Sequence, residues 1–80
     1  MTVEILYFAA LRDLVGLSQE QLEVNSATLA ELLRELQQKH PVLEDRLASV
    51  RVAQNEAFAS LDAPLAPGDV IALIPPVAGG

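Results

Sequence analysis

One segment of the sequence, Thr28 to Lys39, constrains the fold more than any other. Its leucines at positions 29, 32, 33 and 36 repeat at the spacing that lines one side of an α-helix. Thr28 and Glu31 match a capping box at the helix start. Pro41 disfavours helical geometry in the preceding residue, so we expect the helix to end near His40. The chain must therefore supply an apolar surface against which this helix can pack.

Other segments show the shorter periodicity of β-strands. Near the start of the chain, Val3, Ile5 and Tyr7 fall on one side of a predicted strand, and Leu6 and Phe8 fall on the other. The further expected strands are Gln19 to Val24, Val50 to Ala53, Ala57 to Ser60 and Val70 to Ile74. The expected connections are a helical turn or loop over Ala9 to Gly16, a loop or irregular turn over Pro41 to Ser49, a turn over Gln54 to Glu56, and a Pro-Gly turn within Asp62 to Asp69.

The predicted order is strand, strand, helix, and then two or three further strands. One amphipathic helix can cover only one face of a sheet, which indicates a two-layer α+β domain. The first and last strands are the most apolar, so we expect them side by side in the middle of a mixed sheet. This is the β-grasp, or ubiquitin-like, fold, with four to five strands wrapped on one main helix over residues 1–74. A flexible diglycine tail over residues 75–80 would follow it.

The composition indicates one small globular domain. Eighty residues are too few to close two hydrophobic cores, and 51% apolar against 20% charged residues is a globular balance. Five Lys and Arg against eleven Asp and Glu leave a net charge of −6, which would repel phosphate backbones and anionic lipid. We therefore expect neither nucleic acid nor membrane as a partner. The charge suits a protein partner with a basic face, or serves solubility alone.

The absence of cysteine and the character of the first residues argue against further kinds of site and targeting signal. The chain contains no cysteine, which excludes disulfides, thiolate metal sites and a thiol nucleophile. The start, MTVEILYFAAL, has no basic residue before its apolar run, and Glu4 interrupts that run. We therefore expect neither a signal peptide nor a membrane span, and a cytoplasmic protein.

Residues suited to catalysis are scarce. The one histidine, His40, lies at the end of the predicted helix, where interaction with the helix dipole is its ordinary role. Glu44 and Asp45 form an acidic pair in an expected surface loop, and the isolated glycines make no phosphate-binding loop. We expect the domain to bind no metal and to catalyse nothing alone.

The segment IPPVAGG, from Ile74 to Gly80, is the unusual part of the chain. Pro75 and Pro76 have no amide hydrogen, so the sheet must end before them, and a proline pair favours a stiff extended conformation. Gly79 and Gly80 lack a Cβ atom and can enter a narrow channel. The segment therefore indicates a reactive tail that presents the Gly80 carboxylate to a partner, although a frayed end remains the plain alternative.

At this point the sequence resembles a known family over its whole length: the small subunits of molybdopterin synthase, which are ubiquitin-like sulfur carriers. The resemblance is carried by LYFAALRDLVG, RVAQNEAF, PLAPGDVIALIPPV and the final AGG. It implies that an activating enzyme of the ubiquitin-activating type adenylates Gly80 with ATP, and that a sulfur donor converts it to a thiocarboxylate. The large catalytic subunit would then accept the tail and pass the sulfur to precursor Z. The family assembles as a heterotetramer, and no cofactor is bound permanently.

Docking on such partners also needs an apolar patch outside the core. The face of the sheet that the helix does not cover should carry it. The candidate partner-binding residues are Phe8, Phe58, Ile74, Pro75, Pro76 and Val77. Burial of the first three in the core is the alternative. Family members often have an aromatic residue before the proline pair, where this chain has Leu73 and Ile74, which bears on how tightly the root of the tail packs on its partner.

Three alternatives stay open at the level of sequence. The first is the sulfur carrier of thiamine biosynthesis, which has the same fold and the same diglycine end. The second is a ubiquitin-like modifier that is conjugated to target lysines through Gly80. The third is an interaction module whose tail has no task.

Overall fold

Five strands and two helices make up residues 1–76, the part of the chain that this computed structural model describes. In chain order the elements are β1 (Thr2–Tyr7), α1 (Ala9–Val15), β2 (Gln19–Glu23), α2 (Leu29–Lys39), a 3₁₀ turn (Pro41–Leu43), β3 (Arg51–Gln54), β4 (Ala57–Phe58) and β5 (Val70–Ile74). The helix predicted from the leucine pattern is α2, and it begins and ends where expected.

The strands form one mixed sheet in the order β2-β1-β5-β3-β4. Strands β1 and β5 run parallel in the middle, with Ile5 opposite Ile71 and Tyr7 opposite Leu73. All the other neighbours are antiparallel. The predicted β-grasp fold, with its first and last strands adjacent, is thus confirmed.

The core lies between the sheet and α2. Leu29, Leu32 and Leu36 are fully buried, and so are Ile71 and Leu73 on the facing side of β5. Burying a side chain of this size stabilises a fold by roughly 1.5–3 kcal/mol relative to leaving it exposed. The helix therefore packs on one face of the sheet, and within residues 1–76 no helix or strand layer covers the other face. Within residues 1–76, neither helix has the length and apolar character needed to cross a membrane.

Two leucines of the core come from the segment predicted to be a loop or irregular turn. Leu43 and Leu47 are buried, while their neighbours Glu44 and Asp45 are exposed. The 3₁₀ turn after Pro41 reverses the chain and places Leu43 under the end of α2. Spacing alone did not reveal this, because the segment has neither the helical nor the strand period.

The start of α2 is capped nearly as predicted. The amide of Glu31 donates to the Thr28 hydroxyl at 3.3 Å. The carboxylate of Glu31, however, accepts from the amide of Ala27 at 2.7 Å, one residue before the position that a capping box uses. Glu35, one turn further along, accepts from the Ser26 hydroxyl at 2.5 Å and from the Asn25 amide at 2.8 Å. Two helix carboxylates thus hold the chain that leads into α2.

Two other predicted elements differ in extent. The expected turn or loop after β1 is the two-turn helix α1, which Gly16 ends in the left-handed region at φ 84°. The returning strand predicted to reach Ser60 is only Ala57–Phe58, although the Ala59 amide still donates to the Val52 carbonyl at 3.0 Å. The chain leaves the sheet there because it must cross to the N-terminus of α2, where Leu61 accepts from the Ala30 amide.

His40 has a more specific contact than the helix dipole expected for it. Its Nε2 atom lies 2.7 Å from a carboxylate oxygen of Glu20 in β2, and the same oxygen accepts from the Tyr7 hydroxyl at 2.6 Å. Lys39 reaches the other oxygen at 3.0 Å. Burial alone would raise the pKa of Glu20, but hydrogen bonds from Tyr7, His40 and Lys39 outweigh it and leave that pKa below its usual value. This cluster joins the edge strand β2 to the end of α2.

Candidate docking site

The face of the sheet opposite α2 contains an open cleft of about 500 Å³. It is lined mainly by apolar side chains from four of the strands (β1, β3, β4 and β5), by the residue that follows β1, and by the turn between β3 and β4: Leu6, Phe8, Ala53, Asn55, Glu56, Phe58, Val70, Ala72 and Ile74. Strand alternation explains this composition, because successive side chains point to opposite faces of a sheet. In β5, for example, Ile71 and Leu73 enter the core, while Ala72 and Ile74 line the cleft.

The structure brings together three residues that the sequence proposed for docking. Phe8, Phe58 and Ile74 all line this cleft. The two phenylalanines are 45% and 59% exposed, so the alternative that they belong to the core is wrong. Clustered and exposed large apolar side chains are typical of a surface that binds another molecule.

Arg51 lies next to the cleft, against its lining residue Phe58, and no sequence pattern proposed it for docking. Its guanidinium carbon lies 3.9 Å from the centre of the Phe58 ring, which is a cation–π contact. Arg51 pairs with Ile74 across β3 and β5, so the cation sits at the end of the cleft from which the tail leaves. The strand pattern could have placed Arg51 on the same face as Ala53, but only the register places it beside Ile74.

A buried carboxylate fixes the opposite end of the cleft. Asp69 accepts from the Asn55 side chain at 2.9 Å, from the Ala66 amide at 2.8 Å and from the Gln54 side chain at 2.8 Å. These hydrogen bonds, that of Asn55 foremost, hold the pKa of Asp69 below its usual value. Asn55 also exchanges two hydrogen bonds with the backbone of Val70, at 2.8 and 2.9 Å. The turn that carries Glu56 is thereby tied to the start of β5.

The root of the tail lies between the cleft and a second, smaller groove of about 290 Å³. Strand β5 ends at Ile74, and Pro75 and Pro76 then line this groove together with α1 and the loop that holds Arg46. Leu73, at one of the positions where the family often has an aromatic residue, is buried in the core. The predicted tail residues Val77, Gly79 and Gly80 lie outside the described residues.

The described residues offer little chemistry of their own. In the stretch from Met1 to Pro76, no three His, Asp or Glu side chains come close enough to hold a metal ion. Their buried side-chain polar atoms all have a hydrogen-bond partner, so none is left aimed at a ligand. What this arrangement can do is present an apolar face beside the root of a tail.

One main helix on a mixed sheet, with parallel first and last strands in the middle and an open apolar face, defines a ubiquitin-like protein. The chain belongs to the ThiS family, whose model matches residues 5–80. A relative from Mycobacterium tuberculosis, named molybdopterin synthase sulfur carrier subunit, is 41% identical over 98% of this chain and 96% of its own length. The resemblance stated from the sequence is thus confirmed.

Two solved structures match the fold closely. Small archaeal modifier protein 1 of H. volcanii has a TM-score of 0.86 and 32% identity, and the match covers 95% of this chain and 98% of that one. A chain in the complex of subunits 1 and 2 of the molybdopterin-converting factor from Helicobacter pylori has a TM-score of 0.71 and 32% identity, with both chains covered completely. Relatives of this chain therefore include a protein that forms a complex with a second subunit.

Proposed function

We propose that this protein is the sulfur carrier subunit of a molybdopterin synthase. The observation that carries the proposal is the apolar cleft of Phe8, Phe58 and Ile74 at the root of a segment that runs to Gly79 and Gly80. A docking face beside a diglycine tail is what a carrier needs in order to hand a terminal group to a second protein. The relatives named as sulfur carrier subunits support the same conclusion.

The chemistry belongs to the Gly80 carboxylate. A carboxylate oxygen attacks the α-phosphorus of ATP on an activating enzyme of the ubiquitin-activating type, pyrophosphate leaves, and an acyl adenylate forms. A sulfur donor protein then delivers sulfur at the oxidation level of sulfide, which bonds to the acyl carbon, displaces AMP and leaves a thiocarboxylate. ATP is thus a co-substrate of the partner, and its consumption fits a cytoplasmic location. Glycine at positions 79 and 80 leaves the carboxylate free to attack ATP and the acyl carbon open to the sulfur, because no Cβ atom stands beside either.

The next step is delivery to the large catalytic subunit. The cleft docks on that subunit, and the tail enters its active site, where the sulfur passes to precursor Z. Two such deliveries build the dithiolene of molybdopterin, and two carriers with two large subunits form the expected heterotetramer. Pro75 and Pro76 end the hydrogen bonding of β5, because neither residue can donate to a sheet. The sheet thus ends before the tail begins.

Intact mass spectrometry tests the carrier step. After incubation with ATP, activating enzyme and sulfur donor, the full chain should gain the mass of one oxygen-to-sulfur exchange, located at Gly80. Adding precursor Z and the large subunit should then yield molybdopterin and restore the original mass. A chain lacking Gly79 and Gly80 should do neither and should unfold at nearly the same temperature, because the described core ends before these residues. An unchanged mass in the full chain would refute the proposal, and formation of thiazole in the thiamine system without any molybdopterin would redirect it.

A second candidate function is conjugation to target proteins, favoured by the similarity to small archaeal modifier protein 1. Gly80 would then form an isopeptide bond with a lysine of the target. Digestion of cell extracts and a search for lysines that carry the Gly80 remnant would detect it. Adducts that disappear when Gly79 and Gly80 are removed would add this role to that of the sulfur carrier.

A further inference from the structure

A cation lies beside one end of the mainly apolar cleft. Arg51 lies opposite Ile74, where β5 ends and the tail begins, and the turn residue Glu56 lies at the other end, near Val70. The four residue steps from Val70 to Ile74 separate these ends by about 13 Å. A molecule that covers the cleft therefore meets a positive charge beside the tail.

Arg51 has an incomplete set of partners in the free protein. Its guanidinium stacks on Phe58 at 3.9 Å. Among residues 1–76, the carboxylates that form ion pairs belong to Glu23, Asp13 and Glu20, and none of them pairs with Arg51. Arg51 is exposed, so its guanidinium N–H groups are open to water as long as nothing covers the cleft.

Docking changes this situation. Because the guanidinium lies on the exposed ring, a partner cannot cover Phe58 without also removing water from Arg51. Burying a cation is unfavourable unless a charged acceptor replaces the water. A carboxylate fits best, because its two oxygens match the planar fork of an arginine in a bidentate pair.

We infer that the large subunit presents a carboxylate to Arg51 at the end of the cleft where the tail leaves, and that this pair helps select the partner. The inference rests on the proposed function, which supplies the large subunit as the occupant. It refines the expectation of a basic partner face drawn from the net charge of −6. The partner is acidic at one defined point, next to the entrance that receives the tail.

The pair also gives the interface a direction. An apolar surface alone tolerates several docking orientations, whereas a charge at one end favours the orientation that meets the opposite charge. In this orientation the tail enters the partner beside the ion pair. Arg51 is therefore a specificity residue and touches no reacting atom.

Binding of the full-length chain to the large subunit of the same organism, measured by calorimetry, tests the inference. Arg51→Met keeps an apolar stem over Phe58 but removes the charge, Arg51→Lys keeps the charge without the fork, and Arg51→Glu reverses it. We expect Kd to rise about 10-fold for Met, less for Lys and about 100-fold or more for Glu. The matched control is Arg34→Met on the exposed side of α2, which should change Kd less than about twofold.

Two further measurements separate specificity from folding. Each variant should unfold at nearly the same temperature as the unaltered chain, since Arg51 is exposed. With the thiocarboxylate already installed, a saturating amount of large subunit should restore the rate of sulfur transfer to the Arg51→Met chain, because the loss is in binding alone.

The outcomes are distinct. If Arg51→Met binds as tightly as the unaltered chain, or more tightly, while the unaltered chain still yields molybdopterin, the guanidinium swings aside on docking and the inference is wrong. If the unaltered chain neither binds the large subunit nor yields molybdopterin, the proposed function is wrong, and the inference that rests on it is wrong as well. Weaker binding of Arg51→Met that Arg51→Lys partly restores would support the ion pair.

Discussion

At the scale of single residues, backbone conformation shapes the turn between β3 and β4. Asn55 and Glu56 both have positive φ, at 52° and 73°, as the two central residues of a type I′ hairpin turn do. Asparagine tolerates this region, whereas glutamate does so at a cost. Two hydrogen bonds hold the turn in place: the Asn55 amide donates to the Val70 carbonyl, and the Val70 amide donates to the Asn55 side chain. The side chain of Asn55 thus accepts the hydrogen bond that a backbone carbonyl would accept if the two strands paired one residue further.

Gly68 offers a test of backbone strain without any steric contribution. Its φ is 84°, and a Cβ atom at this position would meet no other atom within 4 Å. We expect Gly68→Ala to lower the free energy of unfolding by about 1–2 kcal/mol, the cost of the left-handed region for an L-residue. Gly68→Asn should cost less, because asparagine visits this region more readily. Chemical denaturation measures both variants, and an alanine variant as stable as the parent would contradict the argument.

At the scale of elements, periodic segments could be predicted and aperiodic ones could not. The leucine stripe predicted α2, and the apolar runs predicted β1 and β5, because each pattern has one structural period. The same alternation put Phe8, Phe58 and Ile74 on the open face. The cluster around Glu20 and the cation at Arg51 depend on which strands become neighbours, and pairing between residues far apart in the chain leaves no mark on local spacing. Leu43 and Leu47 were missed because their own segment has neither the helical nor the strand period.

The contact between β2 and α2 should make stability depend on pH. Because the pKa of Glu20 in the folded protein lies below its usual 4.5, the ionised form stabilises the fold above that pH. This contribution is lost as the pH falls through the folded pKa. Glu20→Gln should cost about 1–3 kcal/mol at neutral pH, since Tyr7, Lys39 and His40 lose a charged acceptor. The difference between the two proteins should shrink as the pH falls below 4.5 and through the folded pKa of Glu20.

Denaturant titrations at a series of pH values measure this difference. Glu44→Gln, on the exposed turn after α2, is the matched control and should change stability by less than about 0.5 kcal/mol. A Glu20→Gln penalty that stays constant from neutral to acidic pH would show that shape, and not charge, connects β2 to α2.

At the scale of the whole molecule, the described fold has two layers, the sheet and α2, and one face of the sheet is open. The helix α2 covers a single face of the sheet, and in the part of the chain that the structure describes no second layer covers the other face. A domain of this size has a thin margin of stability, so apolar side chains kept on the surface reflect a use outside the core. A partner docked on the cleft covers the open face as a third layer. Because the tail begins at the edge of the cleft, the same contact brings the tail to the partner.

Because the core and the docking face use different residues, we expect a substitution at Phe58 to change binding but not stability. The side chain is 59% exposed, so Phe58→Ala should change the unfolding temperature little. As an aromatic anchor of the interface, its loss should weaken binding to the large subunit about 30-fold or more. Leu17→Ala is the matched control, because Leu17 is 42% exposed and lies outside the cleft. A Phe58→Ala chain that unfolds at a much lower temperature but binds normally would mean that the open face serves the fold itself, and the third layer would then have to be sought elsewhere on the molecule.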